Sequence, residues 1–331
     1  LTEVKKVYQY IKFSDFDKST RTVKIKNDYD FVSLDKYELR CSYILNGNIV
    51  LEENVALPYI PAGGNSKTVE LPTLNVEGVE DYELFVNIDV VLKNDESWAE
   101  AGYSIASEQY VIKERAANLA AVEVADEALN VVKSNGYTIS NSVCSVKFSA
   151  NGELTSWVVN GVEHIKSAPR YENYRWVEND GPTEETWNYG TDNGINNTTI
   201  NKVTPASDGS YVTVATAATG TKCNYTFVYK VYNNGVIELD AKYTVRNSNL
   251  RRVGLGMAFP LEFSDVEFYA RGPWENYVDR LTGSNIGRYY STVADMYEPY
   301  PKPQSMANRE GLRELLLVNP ETNHGIKVET E

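Results

Sequence analysis

The sequence has very little histidine and cysteine, and this shortage excludes several kinds of site. Only 2 His and 3 Cys occur among 331 residues, too far apart to supply the closely spaced ligands of a metal ion, so we expect no metal site. The three cysteines form no CxxC pair, and an odd, sparse set is not the pattern of a disulfide framework. They are Cys41, Cys144 and Cys223. Neither His164 nor His324 stands beside a candidate Ser or Cys nucleophile, and we interpret both as structural or solvated.

Long apolar runs and an excess of positive charge are also missing. No run approaches the roughly 18 apolar residues that a membrane helix needs, and the net charge is −14. A surface that follows nucleic acid phosphates or anionic lipids needs an excess of Lys and Arg, so we expect neither nucleic acid nor a membrane as a partner. The chain starts at Leu1, without an initiator Met or a leader, so we expect an excised or processed piece. The sequence therefore predicts no cellular compartment.

The sequence is rich in aromatic residues and in the patterns of strands. It contains 24 Tyr and 5 Trp, which favour strands and half-buried surfaces. Apolar and polar residues alternate along 84–92 and 237–245, which predicts half-buried strands. Six dipeptides between such segments predict two-residue hairpin turns, in which both residues take a positive φ. These dipeptides are Asn46-Gly47, Asn135-Gly136, Asn151-Gly152, Asn160-Gly161, Asp208-Gly209 and Asn234-Gly235. We therefore predict an all-β fold of antiparallel sheets.

One Ala-rich stretch, residues 115–129, separates two strand-rich regions. It has no clean apolar stripe, so an extended linker is favoured over a short helix. We predict an immunoglobulin-like β-sandwich over residues 1–112, a linker over 113–127 and a larger antiparallel sandwich over 128–331.

The usual patterns of a catalytic domain are missing from this chain. A (β/α)8 barrel would show strands alternating with amphipathic helices over about 250 residues, and the sequence has no such alternation. It also has no Gly-x-Ser-x-Gly nucleophile motif. The 46 Asp and Glu do not identify a catalytic pair by themselves. We therefore assign no catalytic residue.

Two segments, 170–182 and 271–280, combine aromatic rings with Arg and carboxylates more densely than a sheet needs. They could be sugar-contacting or domain-docking loops, because sugars stack their C–H faces on flat aromatic rings. The alternative, which the residue types alone favour, is an Arg–carboxylate network that fixes each loop to its own sandwich. The candidate residues are Arg175, Trp176, Glu178, Asn179, Asp180, Trp187, Trp274, Glu275, Asn276, Tyr277, Asp279 and Arg280.

The second of these segments, RGPWENYVDR from Arg271 to Arg280, resembles the G-P-x-E-N-Y-x-D-R signature of the large, LacZ-type β-galactosidases of glycoside hydrolase family 2. Further stretches are similar to the same family, in the same order, along both modules. They are residues 4–9, 33–37, 98–102, 108–109, 295–300, 303–305 and 313–315. A combined match of this kind is more specific than any single motif.

The resemblance implies an immunoglobulin-like domain followed by the family's small-chain supersandwich, a fold similar to galactose mutarotase. It also implies a parent enzyme that hydrolyses terminal β-D-galactosides with retention, using two Glu on a barrel that would precede Leu1. This fragment alone is then expected to be inactive, to hold no cofactor and to have the barrel of the same parent chain as its partner. The family's magnesium and sodium would belong mostly to the missing part. The parent would be a homo-oligomer, with galactosides or other neutral carbohydrates as ligands.

The chain departs from the family's pattern in three places. The family's R-x-P-x-D-N-D loop is matched by residues 175–180 without the Pro and with Glu178 at an expected Asp, which weakens any transfer of a role to this loop. Tyr103 stands where the family usually has His. The family's last strands, which bring a sugar-contacting Trp to the active site, would follow residues 313–315 at some distance. We therefore expect a supersandwich that is C-terminally truncated at Glu331.

Three functions stay open at this point. The first is a non-catalytic accessory part of a β-galactosidase. For this function, the rings to test for exposure are those of Trp176, Trp187 and Trp274. The second is a stand-alone carbohydrate-binding module, which an exposed, coplanar aromatic platform would support. The third is a mutarotase-like or lyase-like enzyme, in which His164 would face a carboxylate in one cleft.

Overall fold

A computed structural model describes residues 1–116, 119–172, 195–220, 223–246, 252–302 and 304–330. These residues form 22 strands, one six-residue helix and one short 3-10 helix. Every strand pair among them is antiparallel. The prediction of an all-β fold built from antiparallel sheets is therefore confirmed. No helix in the described part of the chain is long and apolar enough to cross a membrane.

The first module consists of two sheets that share one core. It begins with α1 (Thr2–Val7) and continues with β1 (Ile11–Asp17), β2 (Thr22–Asn27), the 3-10 helix (Leu34–Lys36), β3 (Tyr37–Leu45), β4 (Asn48–Val55), β5 (Ser66–Glu70), β6 (Leu84–Leu92) and β7 (Ser104–Lys113). One sheet has the strand order β1-β2-β5 and the other β4-β3-β6-β7. Fully buried side chains from both sheets, including Ile25, Leu39 and Ile88, pack in a single cluster. Two layers around one apolar core make this module a β-sandwich.

The second module is larger, and its described residues form four sheets. Its strands are β8 (Asn130–Lys133), β9 (Gly136–Ser140), β10 (Cys144–Ser149), β11 (Leu154–Val159), β12 (Val162–Glu163), β13 (Ser167–Glu172), β14 (Ile195–Pro205), β15 (Tyr211–Gly220), β16 (Cys223–Tyr232), β17 (Ile237–Val245), β18 (Gly254–Ala258), β19 (Asp265–Gly272), β20 (Asn285–Thr292), β21 (Glu314–Val318) and β22 (Gly325–Glu329). The sheet orders are β12-β11-β10-β9-β8, β13-β18, β14-β15-β16-β17 and β20-β19-β21-β22.

Two apolar clusters form the interior of the second module. The first joins β9, β10 and β11 to β15 and β16 and contains Val146, Val214 and Tyr229. The second surrounds β19, β21 and β22 and contains Phe268. The half-buried Trp157 packs against both clusters, so it links the two parts of the module. β19, one of the two inner strands of its sheet, leads directly into the candidate loop at residues 273–280.

The six predicted turn dipeptides divide into two groups. At Asn46, Asn135 and Asn160 both residues of the dipeptide have positive φ, as predicted for two-residue turns. In the other three, only the Gly has positive φ, and its N–H donates to the carbonyl three residues earlier, at distances of 3.0 to 3.1 Å. Those Gly residues are Gly152, Gly209 and Gly235. The prediction of positive φ at both positions is wrong for these three, because a longer turn needs the left-handed conformation only at its last residue.

The stretch between the modules lies outside strands and helices at residues 114–116 and 119–129. The buried Asn233 of the second module holds part of it in place. The Asn233 amide donates to the carbonyls of Ala125 at 2.6 Å and Glu127 at 3.1 Å, and it accepts from the Ala125 N–H at 2.8 Å. This hydrogen bonding satisfies backbone groups that no secondary structure pairs.

All three cysteines are free and buried. Cys41 belongs to the core of the first module. Cys223 belongs to the core of the second, and Cys144 lies buried on β10 of the same module. Burial raises the pKa of the Cys41 thiol to about 12, and burial also raises the pKa of Cys144 and of Cys223.

Candidate functional site at the junction of the two modules

The two modules meet at a buried carboxylate. Glu83, which is 4% exposed, comes from the first module. Arg313 of the second module donates to both of its carboxylate oxygens, from Nε at 3.0 Å and from Nη2 at 2.6 Å. The Tyr269 hydroxyl donates to the same carboxylate. Burial, followed by this hydrogen bond, raises the pKa of Tyr269. A bidentate Arg and a hydroxyl together compensate the cost of burying the charge.

Further polar contacts extend the junction on both sides of Glu83. The Gln109 side chain accepts from the Ile286 N–H and donates to the Ile286 carbonyl, both at 2.8 Å. The backbone of a neighbouring β-strand would pair with Ile286 in the same way. Glu3 of α1 accepts from the Gly283 N–H at 2.6 Å and from the Thr282 hydroxyl. The modules are therefore tied together at separate points along β20 and the turn before it.

The loop that follows β19 is fixed from within by Glu275. Its side chain is 6% exposed and accepts from Arg280, from the Tyr300 hydroxyl and from the Ala307 N–H, the last at 2.8 Å. Burial opposes ionisation, but these hydrogen bonds outweigh it and hold the pKa of Glu275 below its usual value. Arg280 also lies over the Tyr277 ring, 4.9 Å from its centroid.

Asn276 fixes the backbone of the same loop and is fully buried. Its amide donates to the carbonyls of Arg271 and Trp274 at 3.0 Å each, and it accepts from the Glu310 N–H at 2.8 Å. The backbone N–H of Asn276 donates to the carbonyl of Asn308 at 2.9 Å. The amide thereby sets the position of Trp274, whose own side chain stays outside the network.

The structure separates the candidates of this loop into two groups. Glu275, Asn276, Tyr277 and Arg280 are occupied in the contacts just described, the arrangement that the residue types alone favoured. Trp274 and Asp279 are exposed. The other candidates, Arg175, Trp176, Glu178, Asn179, Asp180 and Trp187, lie outside the described residues. Their proposed role in contacting sugars or a neighbouring domain stays a prediction.

An aromatic groove lies where Trp274 approaches the first module. The groove has a volume of about 630 Å³ and is lined by Leu1, Thr2, Lys5, Trp98, Tyr103, Ile105 and Trp274. The exposed fractions of Trp98, Tyr103 and Trp274 are 59%, 45% and 57%. Trp98 and Tyr103 make an edge-to-face contact, with ring centroids 5.7 Å apart and an interplanar angle of 83°. The Lys5 ammonium lies 4.2 Å from the centroid of the Tyr103 ring.

A tight turn positions Trp98 in this groove. The N–H of Glu96 donates to the carbonyl of Ala99 at 2.9 Å, and these two residues form an isolated β-bridge. Trp98 therefore sits at the tip of a hairpin-like turn between β6 and β7. The sequence marked Trp98 and Tyr103 only as positions that match or depart from a family pattern, and not as candidate binding residues. The usable signal was two aromatic residues in an otherwise polar loop, because such rings have no core to fill.

The described residues contain no group of three or more His, Cys, Asp or Glu side chains that could hold a metal ion. The ring contacts of His164 within the described part of the chain are aromatic. His164 is 7% exposed and lies between Trp157 and Phe263, whose ring centroids are 5.5 and 5.7 Å from its own. The neighbouring carboxylate of Glu163 accepts instead from the N–H of Trp157 at 2.8 Å. This environment suits a packed structural imidazole, one of the two interpretations drawn from the sequence.

Comparison with known proteins identifies relatives for both modules. Residues 140–329 match the family model described as beta galactosidase small chain, and residues 23–113 match the one described as beta-galactosidase, domain 4. Proteins named beta-galactosidase from Priestia megaterium, Vibrio cholerae and Streptococcus thermophilus are 27%, 28% and 28% identical to the chain. These alignments cover 96%, 95% and 99% of this chain but 31%, 32% and 32% of the relatives. The chain thus spans about a third of their length.

Among solved structures, the exo-chitosanase CsxA of Amycolatopsis orientalis is 10% identical to the chain, with a TM-score of 0.22. The match covers 98% of this chain and 27% of that one. A likeness of this degree carries no argument about fold or function.

Proposed function

Because the chain belongs to the β-galactosidase small-chain family, we propose that it is the non-catalytic C-terminal part of a β-galactosidase. The parent enzyme would hydrolyse terminal β-D-galactosides on a barrel outside this chain. The two modules would support that barrel and shape the rim of its active site. The observation that carries the proposal is the order of the two matched families, domain 4 before the small chain, in a chain that spans about a third of its relatives.

The junction of the modules supports a scaffolding role. Glu83, Tyr269 and Arg313 hold the modules together through a buried charged network, and Gln109 and Glu3 add contacts beside it. A support for another domain needs a fixed shape, because loose modules would not keep a docking surface in register. In this proposal the magnesium and sodium that the resemblance implies for the parent would be held mostly outside this chain.

A proton NMR time course of lactose with the purified chain tests this proposal. We expect no cleavage by the chain alone, because the proposed catalytic barrel lies outside it. A second sample adds the separately produced preceding part of the same parent chain, and hydrolysis is expected to rise only when both parts are present. Cleavage of lactose by the 331-residue chain alone would refute the non-catalytic role. Equal hydrolysis by the preceding part with and without this chain would refute the supporting role.

A further inference from the structure

The groove between Trp98 and Trp274 has aromatic walls from both modules. Trp98 and Tyr103 come from the segment between β6 and β7, and Trp274 comes from the loop after β19. Trp98 and Trp274 are each more than half exposed. Large aromatic side chains gathered in a concave, exposed position are typical of a binding surface, whereas single exposed rings need no such explanation.

The charge of the groove indicates what it would bind. The protein has a net charge of −14 and 46 Asp and Glu, yet none of the described residues that line the groove has a carboxylate side chain. Its one charged lining side chain is Lys5, whose ammonium donates hydrogen bonds and accepts none. Ring faces without acidic groups suit a neutral ligand with apolar C–H faces, and an ammonium suits the oxygen of a hydroxyl. A saccharide offers both kinds of group.

The walls of the groove are held before any ligand arrives. Glu3 ties the start of α1 to Gly283 and Thr282 of the second module. Lys6 of the same helix is ion-paired with Glu108 at 3.0 Å. The Asn276 amide holds the backbone at Trp274. A preformed site loses less conformational entropy on binding than a flexible one, and the groove volume of about 630 Å³ is within the range of small-molecule sites.

We propose that this groove is a binding site for a neutral oligosaccharide. Trp98 and Trp274 would provide the stacking surfaces and Lys5 a hydrogen bond to a sugar hydroxyl. The proposal is separate from the non-catalytic role in a β-galactosidase. The site takes no part in cleavage, and it is expected to bind sugar in the isolated chain.

Saturation-transfer NMR on the whole 331-residue chain, with lactose and methyl β-D-galactoside as probes, tests this site. We expect transfer to the C–H protons of lactose, with a dissociation constant of about 1 mM. Trp98→Ala and Trp274→Ala are each expected to weaken binding at least tenfold, since each removes one stacking surface. Tyr290→Ala is the matched control, because Tyr290 is 74% exposed but does not line the groove, and it is expected to leave binding unchanged. Circular dichroism checks that each variant keeps its fold.

Three outcomes would overturn the proposal. One is the absence of saturable transfer to either sugar, and another is transfer that survives in the double variant of Trp98 and Trp274. The third is a dimer, detected by sedimentation, that Trp274→Ala abolishes while no sugar binds, which would assign the groove to a second copy. Cleavage of lactose in the same samples bears on the non-catalytic role and leaves the binding result intact, so the two failures are distinguishable.

Discussion

At the scale of single residues, the Glu275 carboxylate accepts hydrogen bonds from Arg280, Tyr300 and Ala307 inside the loop after β19. Each donor comes from a different part of the loop or of the segment that follows β20. Removing the charge would leave these donors with a weaker acceptor at a buried position. A buried donor that is poorly paired costs more free energy than an ordinary hydrogen bond contributes to stability.

Glu275→Gln is therefore expected to lower the free energy of unfolding by about 1–3 kcal/mol at neutral pH. The pKa of Glu275 is lower in the fold than its ordinary value of 4.5, because hydrogen bonds from Tyr300, Ala307 and Arg280 outweigh the effect of burial. Its contribution is thus fully present above pH 4.5 and is lost as pH falls through the folded-state pKa. The difference between the native and variant proteins should shrink on acidification. Urea unfolding of both proteins between pH 7 and pH 3 measures this difference in the free energy of unfolding.

The control for this prediction is Glu70→Gln. Glu70 pairs with Arg21 at 2.9 Å, but its side chain is 68% exposed, and exposed pairs contribute at most about 1 kcal/mol. If the two variants lose the same stability, or if the loss in Glu275→Gln is independent of pH, the described network does not stabilise the loop.

Residue types in the loop could be predicted from the sequence, but the direction of their side chains could not. The motif contains aromatic, acidic and basic residues whether they face solvent or each other. Only the fold shows that Asn276 is buried and that Trp274 is exposed. Trp98 was not recognised as a binding candidate, because Trp274, its partner in the groove, lies in the other module and pattern reasoning works within short windows.

At the scale of elements, two Asn-Gly turns have the same sequence but different surroundings. Gly47, in the turn between β3 and β4, has φ 87°, and a Cβ added there would lie 2.7 Å from Cδ2 of Tyr269 in the second module. Gly161, in the turn between β11 and β12, has φ 80° and no atom within 4 Å of such a Cβ. The carbonyl of Gly47 also accepts from the N–H of Arg288 at 2.9 Å.

Gly161→Ala is expected to cost about 1–2 kcal/mol, the strain of a side chain at positive φ. Gly47→Ala carries the same strain and also forces the turn away from Tyr269, so it is expected to cost about 1–3 kcal/mol more. Urea midpoints of the two variants measure the difference. Equal losses would mean that the turn between β3 and β4 does not press on the second module.

Strand positions were predicted well, whereas their burial was predicted less well. The alternating segments 84–92 and 237–245 coincide with β6 and β17. Phe85, on the other face of β6 from its alternating apolar residues, is nevertheless buried, because Ile44, Tyr269 and Ile286 pack around it. A period-two pattern describes one sheet, and it contains no information about a second module that covers the opposite face.

At the scale of the whole molecule, Glu83 determines how firmly the modules are joined. Glu83→Gln removes the charge that Arg313 pairs with and leaves the guanidinium less compensated at the junction. We expect a loss of about 2–5 kcal/mol, as for other buried pairs that lose one partner. In differential scanning calorimetry a single transition of the native chain should separate into two, because the modules have separate cores.

Glu77→Gln is the control, since Glu77 is exposed in the same module. Its thermal transition is expected to match that of the native chain. A native chain that already unfolds in two steps, unaffected by Glu83→Gln, would show that the charged network does not couple the modules.

The existence of two strand-rich regions could be predicted from the sequence. The junction between them could not be predicted, because Glu83, Tyr269 and Arg313 lie far apart in the sequence.

The three buried thiols allow a measurement of whether the two modules open together or separately. Their raised pKa leaves almost no thiolate at neutral pH, and alkylating reagents react with the thiolate. Iodoacetamide should therefore modify them only when the surrounding core opens. Because Cys41 is in the first module and Cys144 and Cys223 are in the second, mass spectrometry of labelled peptides would time the opening of each module in one sample. Equal labelling rates at all three sites would mark a molecule that opens as one unit, and faster labelling at Cys41 would mark a first module that opens alone.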